Sequence, residues 1–149
     1  MSEPTPLYLQ VEIADVSQQI FSGPCYAVVA PAALGEVCIL PRHTPFLTRL
    51  VPGEIRLETD QGETFRYYVS GGYMEAQRTS VTVLADQMLR SEEIDREAAL
   101  EAKRQAEMTL KKSHLFSDRD KAKLDLVKAL AQLRILEEIS ITKLQKRRR

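Results

Sequence analysis

The residues able to do chemistry are few. The two histidines are His43 and His114. His43 lies in the rigid loop Pro41-Arg42-His43-Thr44-Pro45, and His114 in a polar connection between helical stretches. Neither has a histidine or cysteine at metal-ligand spacing. Cys25 and Cys38 fall in apolar, strand-like runs, so both are expected to be buried small hydrophobes, and a disulfide is not expected. Asp60 and Glu63 flank a turn, and solvation explains both. There is no nucleophile elbow, phosphate-binding Gly-rich loop or HExxH motif. Catalysis would need an acid/base pair that this sequence does not offer. The remaining chemistry is that of binding. The basic end Lys146-Arg147-Arg148-Arg149 is either a solvated helix end or a contact for phosphates or an acidic surface. Nucleic-acid binding would need aromatics interleaved with a broader basic face, and the C-terminal part has Phe116 alone.

Two kinds of element must position these residues. The chain has 149 residues and a formal net charge of zero. From Met1 to Met88 there are 5 Arg, no Lys and 10 Asp/Glu, a net of −5; from Leu89 onward the net is +5. Such a split points to different partners for the two parts. All 6 Gly lie at or before Gly72, and all 7 Pro at or before Pro52. Beyond them the chain is rich in Ala, Leu, Glu, Lys and Arg, the strong helix formers. The expected domains are therefore 1–88 and 89–149. The first residues lack the charged and apolar regions of a signal peptide. No stretch reaches the roughly 18 apolar residues of a membrane span, so membrane association is expected only through another protein.

In the first part, Leu7, Leu9, Val11 and Ile13 alternate with Tyr8, Gln10 and Glu12, the period of a half-buried strand. Ser22-Gly23-Pro24 reads as a turn. Strands are then expected over 25–30 and 36–40. Ile55 and Leu57 alternate with charged residues, and Asp60-Gln61-Gly62 reads as a hairpin turn into Phe65, Tyr67 and Val69. Val81, Val83 and Ala85 form the last alternating face. Short strands at this spacing predict an antiparallel sandwich or barrel.

In the second part, Asp95 is a candidate N-cap for a helix running to about Lys112. Ala98, Ala102 and Ala106 offer a small-residue stripe. The connection 113–117 follows, with Ser117 and Asp120 resembling a capping arrangement. Leu126, Leu130 and Leu133 line one face of the second helix, either as an internal seam or as an insert for a partner's groove. Helices of ~20 residues are marginal alone, so the pair must pack on something.

The segment Gly35-Glu36-Val37-Cys38-Ile39-Leu40-Pro41-Arg42-His43-Thr44-Pro45-Phe46-Leu47-Thr48 resembles the GExGILPGHxPLLT signature of the epsilon subunit of F-type ATP synthase. Further matches follow in order: Pro52-Gly53-Glu54-Ile55-Arg56, Ser70-Gly71-Gly72-Tyr73-Met74-Glu75, Val81-Thr82-Val83-Leu84-Ala85-Asp86, Glu101-Ala102-Lys103-Arg104 and Ala129-Leu130-Ala131-Gln132-Leu133-Arg134. The resemblance covers about residues 7 to 138.

It implies an α+β chain, an N-terminal antiparallel β-sandwich followed by a C-terminal two-helix antiparallel hairpin. It implies a non-catalytic rotor subunit of a proton-translocating synthase, peripheral on the cytoplasmic face of the bacterial inner membrane. The sandwich is expected to dock on the gamma subunit and the c-ring. The hairpin is expected to inhibit ATP hydrolysis by reaching transiently toward the catalytic alpha/beta ring. Carried over by position, Glu36, Arg42 and His43 fall in the docking loop. Lys128 and Arg134, with Leu126, Leu130 and Leu133, are the expected inhibitory contacts.

Three departures stand out. Cys38 and Arg42 replace glycines of the signature. In Ile94-Asp95-Arg96-Glu97-Ala98-Ala99, the Asp of the family's ATP-associated motif is present, but Ala98 stands where its Arg belongs. Asp95 is thus the sole candidate nucleotide contact, and the departure speaks against ATP-dependent sensing as the main output. No cofactor and no metal is expected. Glu138 to Arg149 reads as a basic extension.

Overall fold

The computed structural model describes residues 7–148. Positions 1–6 and 149, on which parts of the readings of both chain ends fall, lie outside the described residues. The chain forms two compact units, Met1–Arg90 and Ser91–Arg149.

Among the described residues the first unit holds nine strands: β1 (Leu9–Ala14), β2 (Gln19–Ala32), β3 (Gly35–Ile39), β4 (Phe46–Leu50), β5 (Gly53–Thr59), β6 (Thr64–Val69), β7 (Gly72–Ala76), β8 (Ser80–Ala85) and β9 (Met88–Arg90). Every pairing among the described residues is antiparallel except β1 with β8, which is parallel. One run of neighbours is β1-β8-β7-β4; another is β5-β6-β9. The 14-residue β2 joins them. Its first half pairs with β1, from Gln19 to Cys25, and its second half with β5 and β3.

Ser22-Gly23-Pro24 is therefore not a turn. Glu12, Val11 and Gln10 stand opposite these three residues in an unbroken ladder. At Pro24 the strand has a neighbour on one side only, because β5 joins at Cys25, and a proline is tolerated on such an edge.

The core is the set of inward positions of these strands. Leu9, Val11 and Ile13 are fully buried, as are Ile55, Leu57, Val81 and Val83, with Met74 and Tyr67 between them. Most residues alternating with them are exposed or half-buried, as in a sheet covered on one face; Tyr68, next to Tyr67, is an exception and is buried too.

In the second unit a short 3-10 turn (Ser91–Glu93) precedes α1 (Arg96–Lys112) and α2 (Phe116–Arg147), which pack on each other. Asp95 caps α1: its carboxylate accepts from the Ala98 amide at 3.1 Å. No side chain caps α2 at its start, and Ser117 lies inside that helix instead of before it. Ser113 Oγ accepts from the Leu115 amide and donates to Asp118, so the serine that closes the turn stands four residues before the Ser117 of the Ser117–Asp120 reading.

The small-residue stripe also differs. Ala99 and Ala106 are buried on α1, and Ala122 and Ala129 on α2, whereas Ala98 and Ala102 are exposed. A spacing of seven drifts only about 20° around a helix, whereas two steps of four drift about 80°. Residues 98, 102 and 106 therefore cannot share a straight seam, and the pairs seven apart can.

Candidate docking and regulatory surfaces

The expected docking residues do not form one spot. Glu36 is exposed near the start of β3, beside the Ala33–Leu34 turn; Arg42 and His43 follow the far end of that strand. At about 3.3 Å per residue, the strand alone sets them ~10 Å apart along its length. His43 Nδ1 contacts the Thr44 carbonyl oxygen at 2.7 Å, and its ring meets Phe46 edge-on with centroids 6.2 Å apart. These are structural contacts that fix the loop. Cys25 is buried as expected, but Cys38 is exposed, because the alternation of β3 turns its neighbour Ile39 inward and Cys38 outward.

The loop turns at Leu40–His43. The His43 amide donates to the Leu40 carbonyl at 3.1 Å, which closes a four-residue turn. Arg42 has a φ of 71° and is the sole non-glycine residue with positive φ among the described residues. Pro41 cannot take positive φ, so the turn is type II, with Arg42 at the position that favours glycine. A side chain in this left-handed region costs about 1–2 kcal/mol. The glycine of the signature has a physical reason, and this chain departs from it. Apolar side chains crowd the neighbourhood: Leu40, Phe46 and Leu47 are all exposed.

Other signature residues prove to be structural. Glu54 accepts from Arg66 Nη1 at 3.0 Å on both oxygens, and Arg56 lies 3.6 Å away. Gly53 packs so near Pro31 that a Cβ there would come within 2.8 Å of the Pro31 Cβ. Gly72 opens β7 with a φ of 133°, pressed against β8.

On α2, the expected inhibitory residues spread around the helix. Leu126 and Leu133, seven apart, are half-buried; Leu130 is 44% exposed and leaves that face. Lys128 is half-buried. Arg134 is exposed, and its Nε donates to Glu138 at 3.2 Å. Lys128 and Arg134 are six residues apart, so about 120° separates them around the axis. The helix continues unbroken through the extension to Arg147, exposing Ile141 and Leu144 among basic residues.

The hairpin has a clamp that the sequence reading missed. Arg119, near the start of α2, donates through Nη1 to the carbonyls of Leu110 and Ser113. It satisfies acceptors left open at the end of α1, a role in which arginine also matches the negative end of the helix dipole. On α1, Arg104 donates to both oxygens of Glu101 and holds that carboxyl down at about 2.

Asp95, the candidate nucleotide contact, already uses its carboxylate as a helix cap. Among the described residues no three His, Cys, Asp or Glu side chains are grouped to hold a metal ion. Among the described residues no helix is long and apolar enough to cross a membrane.

Comparison with known proteins agrees with this architecture. The beta-sandwich domain of the ATP synthase delta/epsilon chain matches residues 8–91, and its long alpha-helix domain matches residues 92–137. The ATP synthase epsilon chain of Halorhodospira halophila is 48% identical over 133 residues, covering 88% of this chain and 94% of the relative. That of Nitrosococcus oceani is 45% identical over 131 residues, with coverage of 88% and 94%. That of Nitrosomonas eutropha is 41% identical over 138 residues, covering 93% and 95%. The fold also matches a chain of the Euglena gracilis mitochondrial ATP synthase (OSCP/F1/c-ring) with a TM-score of 0.84 at 21% identity, covering 91% of this chain and 86% of that one. A chain of the Tetrahymena thermophila mitochondrial ATP synthase central stalk and c-ring matches with a TM-score of 0.56 at 12% identity, covering 85% and 94%. With both of its domains matched in order and close relatives covered almost end to end, this chain belongs to the ATP synthase epsilon chain family.

Proposed function

We propose that the chain is a rotor subunit with a permanent coupling and a conditional brake. As a member of the epsilon chain family it is a non-catalytic subunit of ATP synthase. The first unit docks on the gamma subunit and the c-ring through the β3 region and the loop after it. The second unit slows ATP hydrolysis by engaging the alpha/beta ring. The complex pumps protons, and the chain stays peripheral on the cytoplasmic face of the bacterial inner membrane.

The observation that carries the brake is the distribution of α2 side chains. Lys128, Arg134 and the Leu126–Leu133 face point in three directions about the axis. A flat partner could touch one of them; a partner enclosing the helix could touch all. At about 1.5 Å per residue the 32-residue helix is ~48 Å long, enough to reach along a stalk. Single exposed ion pairs contribute only about 0.2–1 kcal/mol. Moving a two-state hairpin from 1:99 to 99:1 takes about 5.5 kcal/mol. Several contacts must therefore act together, and Arg134 must exchange Glu138 for an acidic group on the ring.

The test is add-back to an ATP synthase stripped of its smallest rotor subunit. The full chain should restore coupled proton pumping and slow hydrolysis. A chain ending at Arg90 should restore pumping alone. Lys128→Glu with Arg134→Glu should release hydrolysis without loss of pumping. Equal inhibition by that double variant would end the electrostatic part of this reading.

A further inference from the structure

We infer that Arg42 and Arg78 form a cationic corner on the first unit, built to receive a carboxylate-bearing protein surface of the central stalk. The inference rests on the docking reading above and deepens it by naming the chemistry of one contact.

The geometry begins with backbone. The Arg42 amide donates to the Arg78 carbonyl at 2.8 Å, so the 40–43 turn is tied to the turn between β7 and β8. That second turn is closed by the Gln77 amide on the Ser80 carbonyl at 2.7 Å. Two arginines are thus held side by side by main chain, on two separate turns. Both are exposed, and neither guanidinium has an ion pair among the described residues. Glu75, on the adjoining strand β7, stands opposite Leu47 and accepts from the Gln77 side chain. Two like charges side by side repel, and a carboxylate between them removes that penalty.

The position of Arg42 makes the side chain informative. A type II turn at this place would be relaxed with glycine and is strained with arginine. Strain held at a surface turn points to use of the side chain. Around the corner, Leu40, Phe46 and Leu47 are exposed on short, fixed elements. Arginine set among apolar side chains is the composition of an interface centre. An anionic membrane is the weaker fit, since lipid-binding clusters use about 4–8 basic residues and this corner has two. Two guanidinium groups on neighbouring, tied turns suit planar carboxylates.

The experiment measures binding of the full chain to ATP synthase stripped of its smallest rotor subunit, across a salt series. Arg42→Glu with Arg78→Glu should weaken binding by about 10- to 100-fold at low salt, and the salt dependence of the wild-type chain should largely vanish. Arg42→Gly should weaken binding by about 10-fold while raising the Tm of the isolated chain by roughly 2–5 °C, which separates lost contact from lost fold. Unchanged affinity and unchanged salt dependence in both variants overturn the inference; the docking reading then survives, provided that the wild-type chain binds. No binding by the wild-type chain overturns both. Loss of binding to phosphatidylglycerol vesicles in the double variant, with rotor binding intact, also overturns it and assigns the corner to lipid.

Discussion

Gly72 stands opposite Ala85 across the β7–β8 pair, with the backbone carbonyl of Leu84 so close that no side chain fits at position 72. A Cβ built there collides with the Leu84 carbonyl oxygen and comes within 2.9 Å of the Ala85 Cα. The three nearest atoms are all backbone, so no rotamer change relieves the clash. The φ of 133° at Gly72 is strained for any other residue as well. Gly72→Ala is expected to destabilise the first unit by roughly 3 kcal/mol or more. Urea unfolding followed by tyrosine fluorescence checks this, since Tyr67 and Tyr68 are both buried in that unit.

Glu54 relieves a like-charge pair. The register of β5 on β6 puts Arg56 opposite Arg66, a pairing that is unfavourable alone. The Glu54 side chain, only 14% exposed, binds Arg66 and lies within ion-pair range of Arg56. Glu54→Gln should cost about 1–3 kcal/mol, and Glu54→Lys substantially more. Thermal unfolding of the full chain, read at the β-sheet signal, measures the difference.

Arg119→Ala should loosen the hairpin without touching the sandwich. The variant leaves the Leu110 and Ser113 carbonyls without their guanidinium donor. A loss of about 1–2 kcal/mol is expected in the second unit. Amide exchange should quicken at the end of α1 and the start of α2, with β-strand amides unchanged. Uniform exchange in both units would contradict the clamp.

The two cysteines should behave oppositely toward an alkylating reagent. Cys38 is exposed and should react at pH 8, whereas Cys25 is buried and should not. Burial, with a smaller contribution from Asp60, pushes the Cys25 thiol up to about 11. Its folded value lies above the unfolded value near 9, so the stabilisation is complete below pH 9 and is lost as pH rises toward 11. Stability of wild type and Cys25→Ala should therefore converge with rising pH in that window. Mass spectrometry after brief labelling counts the reactive thiols.

The alternating strands and the helical end were legible because burial imposes its period directly on residue type. β1, β5 and β8 show it residue by residue. Pro24 misled because a proline reads as a turn unless its strand is known to lie on an edge, and edges are a property of the assembled sheet. The alanine stripe misled for a similar reason. Composition offers Ala98, Ala99, Ala102 and Ala106 alike, and only the partner helix selects the pair seven apart. Arg119 left no local signal, since its acceptors are carbonyls present on every residue. The unusual turn at Arg42 was visible as a substituted glycine, but the second arginine beside it was not. Arg78 lies 36 positions away and is brought there by a single backbone hydrogen bond.

β2 has a mechanical meaning. It pairs with β1 along its first half and with β5 and β3 along its second, so one covalent backbone crosses from one group of strands to the other. A twisting load on one group reaches the other through peptide bonds as well as through packed side chains. In the rotor role proposed above, slip between the two groups of strands would be resisted by the stiffness of a polypeptide strand, which yields far less than a greasy interface does.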